Sequence, residues 1–171
     1  MFKKILILSI AIVLSGCGRI SIHNYKAHDQ ESISPDKLSI LHATRYHFVR
    51  EIDGKGSYSP RGASDLFPYT GAKIELLSGK HTLSIEYQSS RRVSNGKTDI
   101  EFNFLPGKQY FLYSKKHYTT DDFNQTTTYV KYHISECGSK EEKEFNEKES
   151  KNEPLFDPFV PACGVPESVK K

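Results

Sequence analysis

Beyond its first seventeen residues, the sequence has no long apolar run and little excess of either charge. Its mean hydropathy of −0.57 argues against any further membrane-spanning segment. The formal net charge is +3, and removal of Lys3 and Lys4 with an N-terminal signal lowers it to +1. So small a positive excess leaves no electrostatic footprint for nucleic acid. The two absences exclude a second membrane span and a nucleic-acid partner.

Short motifs for catalysis and metal binding are also missing. The seven histidines form no HExxH or His-x-His pair: His42 and His47 lie five apart, and His117 and His133 lie in separate runs. There is no G-x-S-x-G elbow, no Ser-x-x-Lys motif in a helical context and no glycine-rich phosphate loop. The Asp121-Asp122 pair lacks an EF-hand frame, which favours a solvated turn over a cation site. The sequence therefore predicts a protein that is not an enzyme and takes no cofactor or metal. A hydrolase with a site assembled from distant residues stays open as an alternative.

The N-terminus, by contrast, carries a strong pattern. Phe2-Lys3-Lys4 gives a basic start, and Ile5 to Leu14 is an almost unbroken apolar run. This order is typical of a secretory signal, and the run is shorter than the roughly 20 residues that span a bilayer. The ending Leu14-Ser15-Gly16-Cys17 resembles the lipobox of bacterial lipoproteins. The resemblance implies that the Cys17 thiol receives a diacylglycerol, that the chain is cut before it, and that the new amine is acylated.

This resemblance also implies a location. Residues 1–16 are then a signal peptide, and the mature protein is attached to the bacterial cell envelope by its lipid. Gly18, rather than Asp, follows the cysteine; by resemblance to lipoproteins of diderm bacteria, this favours the outer membrane, with the protein facing the periplasm. A plain signal peptide with an incidental cysteine is the alternative.

The remaining two cysteines are expected to pair. Disulfides are the usual state of paired cysteines in an exported protein, so we predict a Cys137–Cys163 bond. Closing a 27-residue loop stabilises by roughly 3–4 kcal/mol in the chain-entropy model. Free or metal-binding thiols are the alternative, although no CxxC or Cys/His spacing supports them.

The rest of the chain has the character of β-structure. Six or seven short runs rich in Tyr, Phe, Ile and Thr alternate with turn signals, which predicts a two-sheet antiparallel β-sandwich, with a small barrel as the alternative. Ala72–Leu77 and Lys80–Tyr87 are expected to form a hairpin about Ser78-Gly79. We assign a lipidated tether to 17–36, the sandwich to 37–137, and a charged, proline-rich extension to 138–171.

Three stretches of the sandwich carry a further resemblance. They are a DG turn in Ile52–Lys55, a Leu-x-x-Gly-x-His-x-Leu pattern in Ile74–Tyr87, and a Pro-Gly-x-x-Tyr turn in Phe102–Tyr113. The chain here resembles the PEGA-like and related small β-sandwich modules of bacterial envelope lipoproteins. The resemblance implies a non-catalytic envelope domain, and it gives His81 a structural role in which its ring bonds a nearby backbone group.

The loop Ser57–Gly71 is the candidate binding element. Tyrosine and arginine are enriched at interface hot spots, and arginine suits phosphates and carboxylates. We expect the loop to contact an envelope protein or a cell-wall component, or else to fold back on its own sandwich. Its candidate residues, together with two arginines of a neighbouring loop, are Tyr58, Arg61, Phe67, Tyr69, Arg91 and Arg92.

Three functions follow from these patterns. The first is a lipid-anchored, non-catalytic structural or binding accessory of the envelope. The second is an inhibitor or immunity-type lipoprotein that blocks an envelope enzyme through a protruding loop. The third is the hydrolase with a non-contiguous site, which a cluster of groups with perturbed pKa values in one cleft would favour.

Overall fold

A computed structural model of the chain describes residues 22–58, 71–89, 92–93, 96–124, 126–152 and 161–164. Within these residues no helix combines the length and the apolar character needed to cross a membrane. The described elements are β1 (His23–Lys26), a 3-10 turn (Pro35–Lys37), β2 (Leu38–Thr44), β3 (His47–Ile52), β4 (Gly71–Leu77), β5 (Gly79–Ser89), β6 (Arg92–Val93), β7 (Thr98–Phe104), β8 (Gln109–Thr120), β9 (Thr126–Glu136) and α1 (Lys140–Asn152).

The strands form two sheets, which confirms an all-β, two-sheet architecture. The first sheet has the order β1-β4-β2-β8-β9. In the second, β5 pairs with β3 along one edge and with β6 and β7 along the other. The prediction of a purely antiparallel sandwich with six or seven strands is wrong, because nine strands are described and both β1–β4 and β2–β8 are parallel.

One core lies between the sheets. Leu41, Ile74 and Leu112 from the first sheet and Val49 and Ile85 from the second are completely buried and belong to one cluster. Alternation along the strands places these side chains on the inner faces, and burying each contributes roughly 1.5–3 kcal/mol. The two sheets are therefore held together chiefly by aliphatic packing.

The predicted hairpin of β4 and β5 is wrong. β4 pairs with β1 and β2, whereas β5 pairs with β3, β6 and β7. The chain instead turns a corner at Ser78 and passes from the first sheet to the second, with Gly79 at a φ of +132°. The chain crosses between the sheets in the same way from β2 to β3 and from β7 to β8. These crossings explain the parallel pairs, since strands neighbouring in one sheet are joined through the other.

Two predicted reversals are confirmed locally. Ile52 and Lys55 exchange backbone hydrogen bonds of 3.1 and 3.0 Å, and Asp53 and Gly54 both have positive φ, as a type I′ turn requires. At the second reversal, Lys108 N–H donates to the Leu105 carbonyl, 3.3 Å away. Its local turn is as predicted, although the strands that it joins lie in different sheets.

The folded part begins earlier than the predicted boundary at Lys37. β1 lies inside the segment 17–36 and pairs with β4 from His23↔Ala72 to Lys26↔Glu75. Beyond β1, His28 Nε2 lies 2.9 Å from Glu75 Oε1, and the His28 side chain is only 3% exposed. Only residues 18–22 therefore separate Cys17 from the sheet.

Candidate functional site: the β8–β9 arm

The most prominent feature of the surface is a two-stranded ribbon that extends beyond the first sheet. Pairing of β2 with β8 ends at Leu112, but β8 and β9 stay paired from Tyr113↔His133 to Thr120↔Thr126. We call residues 113–133 the arm. Its eight rungs span about 23 Å at the usual rise of a strand.

Strand alternation gives the arm two different faces. On the face continuous with the core, Leu112 and Tyr132 are buried. On the outer face, the ring of Tyr113 stacks on His133 at 5.3 Å, and His117 stacks on Tyr129 at 5.2 Å. The outer face is therefore a ladder of flat rings, each pair contributed by opposite strands.

Lysines of the arm add positive charge to this ladder. Lys115 Nζ lies 5.8 Å from the centre of the Tyr113 ring, within cation–π range. Burial lowers the pKa of His133, and the neighbouring Lys115, Lys131 and His117 lower it further. These groups therefore disfavour the charged form of His133, and Lys115 and Lys131 give this face positive charge.

Several described lysines outside the arm are ion-paired. Lys80 pairs with Glu101 at 2.7 Å, and Lys108 pairs with Glu136 at 2.6 Å. Lys115, Lys116 and Lys131, however, form no ion pair with any carboxylate in the described ranges. The middle of the arm is thus a positive surface without a described counter-charge.

The end of the arm exposes aromatic side chains. Phe123 is 85% exposed, Tyr118 64% and Tyr129 48%. The turn that presents Phe123 is ordered by Asp121, whose carboxylate and carbonyl accept the N–H groups of Phe123 and Asn124, both at 3.0 Å. As predicted, the Asp121-Asp122 pair lies in an exposed turn.

The root of the arm is covered by the C-terminal clamp, which consists of α1 and residues 161–164. The Phe145 ring packs on Phe111 and Tyr113 at 5.8 and 5.7 Å, and Ala162 is buried in the same cluster. Cys137 and Cys163 form the predicted disulfide, which joins the end of β9 to this segment. An open depression of about 410 Å³ lies beside that bond, and its Glu142 accepts the Gly138 N–H at 2.6 Å.

A polar network under the arm escaped the sequence analysis. His47 is buried; its Nδ1–H donates to the Arg45 carbonyl at 2.8 Å, and its Nε2 accepts the Ser114 hydroxyl at 2.8 Å. Thr44 Oγ1 lies 2.9 Å from Nδ1 and donates to the Leu112 carbonyl. Burial lowers the His47 pKa to about 4. A Ser–His contact across 67 residues leaves no local signature in a sequence.

This network resembles a nucleophile and its base, but its surroundings are those of a structural bond. A general base works best with a pKa near the working pH, and the His47 pKa lies far below neutrality because the imidazolium is desolvated. Of the cavities formed by described residues, neither the depression near the disulfide nor a small one of about 20 Å³ beside Thr44 is lined by His47 or Ser114. The network ties the β2–β3 corner to the root of the arm.

Most of the predicted binding loop lies outside the described residues. Tyr58 is half-buried: its ring meets Tyr25 edge-on at 6.3 Å, and its N–H donates to the Val49 carbonyl at 3.0 Å. Burial raises the Tyr58 pKa. For this residue, the structure supports the folded-back alternative. The other candidates are Arg61, Phe67, Tyr69 and Arg91, which lie outside the described residues, as does Cys17, and Arg92, whose backbone alone is described, in β6.

The structural role predicted for His81 is confirmed. Its Nε2–H donates to the Leu77 carbonyl at 2.8 Å, and its Nδ1 lies 2.6 Å from Asp53 Oδ2. His81 therefore fixes the β4–β5 corner against the Asp53-Gly54 turn. The ring is held on both nitrogens by groups of the sandwich itself.

Comparison with protein-family models, with curated proteins and with solved structures finds no significant match. The chemistry of the arm is therefore the basis for the function proposed below.

Proposed function

We propose that this protein is a lipoprotein of the bacterial cell envelope, anchored by its lipid in the outer membrane and facing the periplasm. We propose further that it is a non-catalytic binding accessory. The lipobox-like Leu14–Cys17 supports the anchor, and the Cys137–Cys163 disulfide supports export, because disulfides persist in oxidising compartments. The resemblance to PEGA-like modules adds the expectation of an envelope role without catalysis.

The observation that carries the binding function is the exposure of the arm. Phe123, Tyr118 and Tyr129 present large rings to solvent on a ribbon clear of both sheets. Tyr118 and Tyr129 lie on opposite faces of the ribbon, so the end of the arm presents rings on both sides. Exposed apolar surface of this kind marks interaction sites, and tyrosine is enriched at binding hot spots. The disulfide and the Phe145 packing hold the arm at its root, so less ordering entropy is lost on binding.

The inhibitor or immunity-type function is the second candidate, and the same arm favours it. A projecting hairpin with an aromatic at its end has the shape to enter the cleft of an enzyme. The hydrolase has less support, because the Ser114–His47 pair lies in packed surroundings and the low pKa of His47 makes it a weak base.

Crosslinking in the native envelope tests the binding function. We expect Phe123→Ser with Tyr118→Ser to abolish recovery of the crosslinked partner while leaving the thermal transition unchanged, since both side chains are exposed. Leu105→Ser is the matched control, because Leu105 is 49% exposed and lies at the opposite end of β8. Equal recovery from the arm variant and the wild-type protein would refute the arm as the binding element.

The anchor has its own test. The wild-type protein should incorporate labelled palmitate, and Cys17→Ser should not. Label retained by Cys17→Ser would refute the lipobox assignment.

A further inference from the structure

The arm and the N-terminal end of the folded chain leave the first sheet in the same direction. One row of register partners crosses the sheet from His23 through Ala72, Ala43 and Leu112 to Ile134. β1 starts at this row and runs away from it, so the first described residue, Ile22, lies beyond the row and the chain enters β1 from that side. β8 runs the opposite way and continues past the row as the arm.

The two segments that extend beyond this row have similar reach. Five residues lie between Cys17 and His23, and six residue steps of extended chain reach at most about 21 Å. The arm extends about 26 Å beyond the same row, before the turn around Phe123 is added. An upright domain anchored at Cys17 therefore brings the end of the arm to the plane of its own anchor.

The chemistry of the arm changes along its length in the order of a bilayer surface. Phe123 is at the end, Tyr118 and Tyr129 follow two to three rungs inward, and Lys116, Lys115 and Lys131 lie one to two rungs further in. Apolar rings favour the acyl boundary, tyrosines favour the headgroup level, and lysines contact phosphates from the aqueous side. The order and the direction are independent observations that agree.

Asp121 and Asp122 limit how deep the arm can enter. Both are exposed and directly precede Phe123, and moving an ionised carboxylate into hydrocarbon is costly. The contact is therefore with the headgroup region, and the three lysines supply the attraction to a negatively charged surface.

We propose that the arm docks on the anionic phospholipid headgroups of the bilayer that carries the anchor. The domain then has two attachments, the Cys17 lipid and the arm, which fix its orientation on the membrane. The proposal rests on the proposed function in taking Cys17 as the anchor and the arm as the binding element, and it names the lipid surface as what the arm binds. Because the lipid holds the arm close to the surface, even a weak contact is populated through its high effective concentration.

Vesicle binding by residues 17–171 carrying Cys17→Ser tests this contact, since that chain keeps every described residue and has no acyl group. It should sediment with vesicles of phosphatidylglycerol and phosphatidylcholine, more weakly at high salt, and not with phosphatidylcholine alone. Replacing Lys115, Lys116 and Lys131 with Gln should lower the partition constant on the order of a hundredfold. The matched control replaces Lys26, Lys80 and Lys97, which are ion-paired outside the arm. Equal loss in both triple variants, or no binding to mixed vesicles, would overturn the proposal.

A fluorescence measurement locates the contact. The chain has no tryptophan, so Phe123→Trp and Leu105→Trp each introduce a single reporter. On addition of mixed vesicles, emission from Phe123→Trp should shift to the blue and be quenched by brominated acyl chains, and emission from Leu105→Trp should not change. The opposite pattern, or no shift in either variant, would refute docking by the arm.

The outcomes separate this proposal from the proposed function. Failure of palmitate labelling would refute the anchor alone, because the vesicle experiment uses a chain without it. Arm variants that lose an envelope crosslink but keep wild-type vesicle binding would assign the arm to an acidic protein partner and overturn the lipid contact.

Discussion

The Cys137–Cys163 disulfide should decide whether the C-terminal clamp stays on the sheet. Apart from this bond, the clamp is held on the sheet by the packing of Phe145 and of buried Ala162 and, next to the end of β9, by the hydrogen bond from Gly138 N–H to Glu142. The hydrogen bond from Ala162 N–H to Asn146 Oδ1 at 2.9 Å joins the two parts of the clamp to each other. A 13-residue helix is marginal in water without tertiary support. In the chain-entropy model, a loop of about 27 residues contributes about 3.5 kcal/mol. Replacing both cysteines with Ser should therefore lower the free energy of clamp opening by that amount and raise the open population on the order of 400-fold.

Native-state amide exchange measures this opening directly. The α1 amides should lose protection in the double-Ser variant, while the β5 amides, in the centre of the second sheet, serve as the internal reference. Phe145→Ala keeps the disulfide and removes the ring, so it tests the packing separately. Unchanged protection of α1 in the double-Ser variant would show that packing alone holds the clamp and would refute the argument from loop closure.

Three further predictions concern the sandwich. Burial lowers the His47 pKa from 6.5 in the unfolded chain to about 4 in the folded protein, so the unfolded chain binds a proton first on acidification. The neutral imidazole therefore contributes about 3 kcal/mol to the free energy of unfolding. This contribution is complete above pH 6.5 and should be lost as the pH falls to 4. Urea unfolding across this range should show the loss in the wild-type protein but not in His47→Gln. Gly71→Ala would place a Cβ 2.6 Å from a backbone carbonyl of β2, whereas Gly79→Ala places one in open space at a similarly positive φ. Gly71→Ala should therefore lower the free energy of unfolding by about 2 kcal/mol more than Gly79→Ala does. Equal melting temperatures of the two variants would contradict the clash. Partial burial favours the protonated carboxyl of Asp53, but the Thr82 N–H and the His81 imidazole, both of β5, favour the carboxylate. Together they lower the pKa of Asp53 below its ordinary value. Asp53→Asn should therefore lower the Tm at neutral pH and flatten its fall below pH 3.8, and an unchanged acid profile would contradict this.

Local patterns predicted the elements better than their partners. The alternation of Leu83, Ile85 and Tyr87 correctly marked the inner face of β5, because one buried face imposes a period of two. The same pattern holds for any partner strand, so it did not reveal that β4 and β5 lie in different sheets. A short turn with a glycine fits a hairpin and a corner equally well.

The arm shows the opposite case. In the sequence, the run Thr127–Ile134, with Tyr129, Val130, Tyr132 and Ile134, is typical of a strand, whereas the segment from Ser114 to Gln125 reads as a polar loop. β8 nevertheless continues to Thr120, because β9 satisfies its backbone hydrogen bonds. A ribbon that is largely exposed on both faces carries little apolar signal, so hydrophobic periodicity misses it.

The sequence by itself determined the all-β class of the fold and predicted the Cys137–Cys163 pairing, and it alone carries the signal-like pattern of Met1–Cys17, since these depend on composition and on contiguous residues. Only the tertiary structure decided that β1 belongs to the sheet, that the arm extends from the same side of the sheet on which β1 begins, and that His47 meets Ser114. These facts depend on strand register and sheet crossing. Both are set by the packing of residues far apart in the chain, which no local pattern records.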